Sequence, residues 1–139
     1  PSHIRVLRMV NIANGRDSVL DKVRDLSQWS KWYPGLENIQ LTDTEVRNGR
    51  TVKGRANDIL IEIKESSDSM VVVNMQRGSR PVVGGWQINK DDRKDSLALQ
   101  AYMDFKLKWY PWEKFSSLML DKGYGGRMRE GLERLKREE

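Results

Sequence analysis

Cysteine is absent from this sequence, and histidine occurs once, at position 3. The first absence excludes a disulfide framework and any thiolate metal site. The second leaves only carboxylates to complete a zinc site, which needs three or four N, S or O ligands. The carboxylates form no cluster along the chain, so no metal is expected, and no other cofactor either. His3 sits near a terminus, where segments fray, and is a poor basis for a Ser-His-Asp or Cys-His arrangement. Long apolar runs are missing as well. Nothing approaches the ~20 residues of a membrane span and no signal peptide is visible, so a cytoplasmic protein with no membrane span is expected. A block of one charge is also lacking. The net charge is +5, but residues 1–60 carry 10 basic and 7 acidic side chains, residues 61–120 carry 9 and 8, and residues 121–139 carry 6 and 5. A surface this evenly mixed offers no phosphate-binding stripe, so nucleic acid is not an expected partner. The chain shows no linker, internal repeat or low-complexity tract, and its 139 residues suffice for a single domain, 1–139, with a proper core.

What the sequence does have is concentrated in residues 95–137. From Asp95 to Trp109 the apolar residues Leu97, Leu99, Ala101, Met103, Phe105, Leu107 and Trp109 recur at strict period 2, against Ala98, Gln100, Tyr102, Asp104, Lys106 and Lys108. That is a strand with one buried and one wet face, so Tyr102 and Asp104 read as surface residues. At Tyr110-Pro111-Trp112 the period changes. Pro111 suits a first helical turn, and Trp112, Phe115, Leu118, Met119, Met128, Leu132 and Leu135 share one helix face. Glu113 in the first turn reads as a dipole partner.

Upstream, His3–Ile12 is read as a strand, with Ile4, Val6, Val10 and Ile12 in phase and Arg8 interrupting them. Asn14 caps a helix running to about Leu26. Ser27 caps a second, short helix, Gln28–Tyr33, ended by Pro34-Gly35. Strands follow at Leu36–Val46, Thr51–Ala56, around Ile59, Ile61 and Ile63, at Met70–Gln76 and at Pro81–Asn89. Asn48-Gly49 marks a type I′ hairpin, and Gly84-Gly85 predicts a bulge or sharp bend.

In this order the residues resemble the SRPBCC superfamily, which includes START lipid-transfer domains, birch-pollen-allergen-like proteins and polyketide cyclase/dehydrase-like domains. Three stretches carry the resemblance. They are Asp25-Leu26-Ser27-Gln28-Trp29-Ser30-Lys31-Trp32-Tyr33-Pro34, which looks like the family's D-x-x-x-W-x-x-W-x-P, the hairpin Val83–Leu107, and the C-terminal helix with Gly131-Leu132-Glu133-Arg134-Leu135-Lys136 near its end. The resemblance implies an α+β helix-grip fold. A curved six- to seven-stranded antiparallel sheet would surround a long C-terminal helix, with two short helices after the first strand. It also implies an apolar cavity between sheet and helix that holds a small hydrophobic molecule such as a lipid, sterol or polyketide.

By phase, Ile61, Met75, Trp86, Met103, Phe105, Phe115 and Met119 would line such a cavity. Trp32, placed by the family match, would stand near its entrance, although Trp29 and Trp32 equally read as anchors for their short helix. Gly123-Tyr124-Gly125-Gly126 puts three glycines in one helical turn, at about 1 kcal/mol each relative to alanine. Gly123, Gly125 and Gly126 therefore either form a gate over the cavity or let the helix pack closely. Three functions stay open: a hydrophobic-ligand binder, a cyclase/dehydratase- or hydrolase-like enzyme using the same cavity, and a ligand-free protein-interaction module. An enzyme needs an ionisable group inside the pocket, and the inward phases supply none with certainty, which favours the binder.

Overall fold

Alternation of apolar and polar residues builds most of the chain. The computed structural model describes residues 2–13, 17–77, 80–90, 96–107 and 126–137. The strands are β1 (Ser2–Ala13), β2 (Thr42–Arg47), β3 (Arg50–Ala56), β4 (Ile59–Ser66), β5 (Met70–Arg77), β6 (Arg80–Lys90) and β7 (Ser96–Leu107). They form one antiparallel sheet in the order β1-β7-β6-β5-β4-β3-β2. Two short 3₁₀ helices, Asp17–Lys22 and Leu26–Lys31, separate β1 from β2, and a helix, α1, spans residues 126–137. This is the helix-grip arrangement. The stretch where the long helix was expected to begin, near Trp112, lies outside the described residues.

The period-2 reading of β7 holds. Leu97, Leu99, Ala101 and Met103 are buried, while Ala98, Gln100, Tyr102 and Asp104 are half-buried on the other face. β1 pairs with β7 without a shift along its whole length, with Arg8 opposite Ala101. Arg8 therefore leaves the register intact, and its Nη1 donates to the Leu7 carbonyl at 2.7 Å. The Asn48-Gly49 turn has φ of 54° and 77°, the positive pair that a type I′ hairpin requires.

Four local expectations are corrected. The first helix stops at Lys22, not near Leu26. There Arg24, buried despite its charge, donates to the Ser67 carbonyl and to Asp21 and pins the chain to the β4–β5 turn. The second helix begins at Leu26, and its cap is Asp25, not Ser27. Asp25 has an extended backbone, and its Oδ1 accepts from the Ser27 amide (3.0 Å) and hydroxyl (2.7 Å). Residues 36–41 are not strand. Leu36 N–H donates to the Tyr33 carbonyl and Ile39 N–H to the Leu36 carbonyl, so the segment runs as consecutive turns until Thr42.

Finally, Gly84-Gly85 is not a bulge. β6 keeps register on both sides, Gly84 between Val73 and Met103, Gly85 between Val72 and Tyr102. The glycines answer to crowding instead. A methyl on Gly85 would overlap the Tyr102 ring, and one on Gly84 would lie 3.2 Å from Met75 Cε and 3.3 Å from the Trp86 ring. The register shifts fall in β2 and β4.

Candidate functional site

The register aligns the inner face of the sheet in rows. One row holds Phe105, Val82, Met75, Ile61 and Gly54, on β7 through β3; the next holds Met103, Gly84, Val73 and Ile63; a third holds Ala101, Trp86 and Val71. Ile61, Met75, Trp86 and Met103 are thus brought onto adjoining positions of one face, and all four are buried. The empty Cα of Gly84 lies among them and gives room to Met75 and Trp86. Phe105 is placed by backbone register alone. Phe115, Met119, Gly123 and Gly125 lie outside the described residues.

Over this floor sits an aromatic cluster. Trp86 meets Trp29 and Trp32 edge-on, with centroids at 5.3 and 5.5 Å, and Tyr33 stacks on Trp29 at 5.0 Å. Such edge and offset contacts add about 0.5–1.5 kcal/mol each beyond their burial. Both indole N–H groups are used, Trp29 donating to the Val23 carbonyl at 2.9 Å and Trp32 to the Lys22 carbonyl at 3.1 Å. Trp32, expected at an entrance, is 1% exposed and lies between this cluster and α1, where a methyl on Gly131 would touch Trp32 and Pro34 at 3.5 Å. Close packing of the helix therefore falls at Gly131. Gly126 is exposed, and a methyl there would meet nothing within 4 Å.

Tyr33 was missed as a site residue. Its hydroxyl lies 4.0 Å from Met75 Sδ and brings a phenol to the apolar floor. The signal was its place four residues after Trp29, where one turn of chain, closed by the Tyr33 amide donating to the Trp29 carbonyl at 2.8 Å, returns the ring to Trp29.

The described groups with displaced pKa values are surface ion pairs. Glu37 is held below the usual carboxylate range by the hydrogen bond from Arg134, and Glu62 by that from Lys64. Arg134 is raised by Glu37 and then Glu130. Arg5 is raised by its two bonds to Asp104 (2.7 and 2.9 Å), and it also covers the Tyr102 ring at 4.4 Å. Tyr102 and Asp104 thus belong to the outer face. Among the described residues no cluster of His, Asp and Glu could hold a metal, and no helix is long and apolar enough to cross a membrane.

An open cavity of about 250 Å³ lies toward the β3 edge of this face, between the second short helix, residues 36–41 and the β2–β3 hairpin. Leu26, Ser27, Ser30, Leu36, Ile39, Gln40, Leu41, Thr44 and Thr51 line it. None of these was a candidate, because residues 36–41 read as strand and a strand would have left no hollow there.

Comparison with known proteins agrees with this geometry. The family model described as polyketide cyclase / dehydrase and lipid transport matches residues 3–138. Among solved structures, the ZhuI aromatase/cyclase from Streptomyces sp. R1128 shares the fold at a TM-score of 0.71 and 13% identity, over 99% of this chain and 93% of that one. A START superfamily protein from Mycobacterium smegmatis gives 0.63 and 16%, over 97% and 95%. DynU16, from the dynemicin biosynthetic locus, gives 0.61 and 16%, over 96% of this chain but 46% of its own, so this chain spans about half the length of DynU16. No curated protein matches the sequence.

Proposed function

From the premise that the chain belongs to the polyketide cyclase / dehydrase and lipid transport family, we propose that it binds one small hydrophobic molecule (a lipid, polyketide or aromatic compound) between the inner face of the sheet and the C-terminal helix. The observation that carries this reading is the inner floor itself. Ile61, Met75, Trp86 and Met103 occupy adjoining register positions, and methionine adapts to contents of irregular shape. Phe105, Phe115 and Met119 complete the lining in this reading, Trp32 backs Trp86, and Gly123, Gly125 and Gly126 loosen the helix for entry and exit. Binding is preferred to catalysis because the described groups with displaced pKa values sit in surface pairs, away from this floor. A cyclase reading is kept by one residue, Tyr33, whose hydroxyl reaches Met75 and could exchange a proton with a bound carbonyl.

Native mass spectrometry of the purified protein, looking for a co-purified small molecule, tests the binder directly. A fluorescent fatty acid then serves as probe. Met75→Leu and Met103→Leu conserve volume and should shift its affinity while leaving stability nearly unchanged. A chain that carries nothing and leaves the probe unbound sinks the reading and favours the protein-interaction module. For the cyclase, ring closure of a synthetic poly-β-ketone should be accelerated by the protein and lose that acceleration in Tyr33→Phe.

A further inference from the structure

The open cavity beside the β2–β3 hairpin has no part in that reading. We propose that it is a separate binding site for a small neutral ring bearing adjacent hydroxyl groups. Its floor is apolar, with Leu26 and Leu36 buried and Ile39 and Leu41 half-buried. Its lining also includes Ser27, Ser30, Thr44 and Thr51, which carry hydroxyls, and Gln40, which carries an amide. The lining carries no charge, so an ionic ligand would lose its hydration with no counter-ion in return. An apolar floor with a few placed polar groups is the general form of a small-molecule site. The volume of about 250 Å³ equals that of about eight liquid waters at ~30 Å³ each, enough for one substituted ring and too little for a fused polycycle.

Two features hold the cavity open. Asp25 Oδ1 accepts from the Ser27 amide, the Ser27 hydroxyl and the Thr51 amide (3.1 Å), which ties the helix wall to the β3 wall. With its hydrogen engaged there, the Ser27 hydroxyl can still accept from a ligand. The second feature is the irregular course of β2. Its register shifts between Thr42 and Glu45 and again before Val46, and Asp43 has φ of 51°, a left-handed conformation that costs a non-glycine residue about 1–3 kcal/mol. The irregularity lays Thr44 over Gly54, whose bare Cα leaves 3.5 Å to Thr44 Cγ2 and 3.4 Å to Leu41 Cδ1 for a methyl it lacks. Bulges beside sites commonly re-aim a side chain in this way.

The test is an amide NMR titration of the full chain with catechol and, separately, methyl glucoside, which share the hydroxylated ring but differ in aromaticity. Benzoate is the charged control. Saturable shifts at Ser30, Leu41, Thr44 and Thr51 are expected with at least one neutral ring and not with benzoate. Thr44→Val should weaken binding about tenfold, the upper value of one hydrogen bond. Ser30→Leu should fill the cavity and abolish binding, with the amide spectrum elsewhere unchanged. No saturable shift with either ring, undiminished binding in Ser30→Leu, or preference for benzoate overturns the proposal. So do shifts centred on Met75, Trp86 and Met103, which would place the ring on the inner floor and leave the separate reading of that floor standing.

Discussion

Gly85 and Tyr102 show how one missing methyl can organise a surface. The Tyr102 ring rests on the bare backbone of Gly85, on the strand beside it, and Arg5 covers the ring while bonding Asp104. Gly85→Ala forces the ring aside, and urea unfolding should show a loss of about 1–3 kcal/mol, the usual cost of overpacking. Tyr102→Ala in the same chain should recover part of that loss, because the two changes share one contact. Gly84→Ala should cost less, since the crowded atom nearest it is the flexible end of Met75. Two adjacent glycines in a strand suggest a bulge or a sharp bend, and the unbroken register of β6 excludes the bulge. The reason for them sits one strand away, where no single-strand pattern can show it. At Gly126 the space is empty, so Gly126→Ala should raise stability by about 0.5 kcal/mol through the unfolded chain. If the glycines gate a cavity, that variant should also release a fluorescent fatty acid more slowly.

The elements were legible wherever one pattern dominated. Period 2 placed β7 and β1, and the Asn48-Gly49 pair placed the β2–β3 hairpin. The pattern was ambiguous where two residues could serve the same end. Asp25 and Ser27 are both good caps, and the extended backbone of Asp25, together with the Thr51 amide that reaches it, decides between them. Asp25→Ala should therefore cost about 1–2 kcal/mol by denaturant midpoint, in the range for a lost N-cap, and more than Ser27→Ala. Residues 36–41 misled because Leu36, Ile39 and Leu41 all turn inward, as the turn hydrogen bonds permit. Arg134 joins this segment to α1 by bonding Glu37 at 2.8 Å. Glu37 has a folded pKa below its ordinary one. The tie is therefore complete above the usual carboxylate value and is lost as pH falls through the lower, folded value. The stability difference between wild type and Glu37→Gln should be present at neutral pH and vanish in acid, and urea midpoints at the two extremes will show it.

For the molecule as a whole, order and architecture were readable because seven strands and a helix leave few ways to bury their apolar faces. The floor of the candidate site was half readable. Phase selected Ile61, Met75, Trp86 and Met103, but Tyr33 enters from the bend just after the second short helix, and no strand pattern contains it. A molecule that binds this floor and not the unfolded chain must stabilise the fold by mass action, by about 2.7 kcal/mol when present at a hundred times its dissociation constant. Thermal melts across a ligand series will therefore rank candidates before any is crystallised.

The sheet order also sets a timetable for the chain's birth. Ser2 pairs with Leu107, so β1 leaves the ribosome ahead of the other strands of its sheet and finds its partner only after all six of them have been translated. At 5–20 residues per second, that is a wait of roughly 5–20 s, during which Val6, Val10 and Ile12 have no strand to lie against. The hairpins from β2 to β7 can zip in sequence as they emerge, whereas β1 must be kept from straying until the last of them arrives.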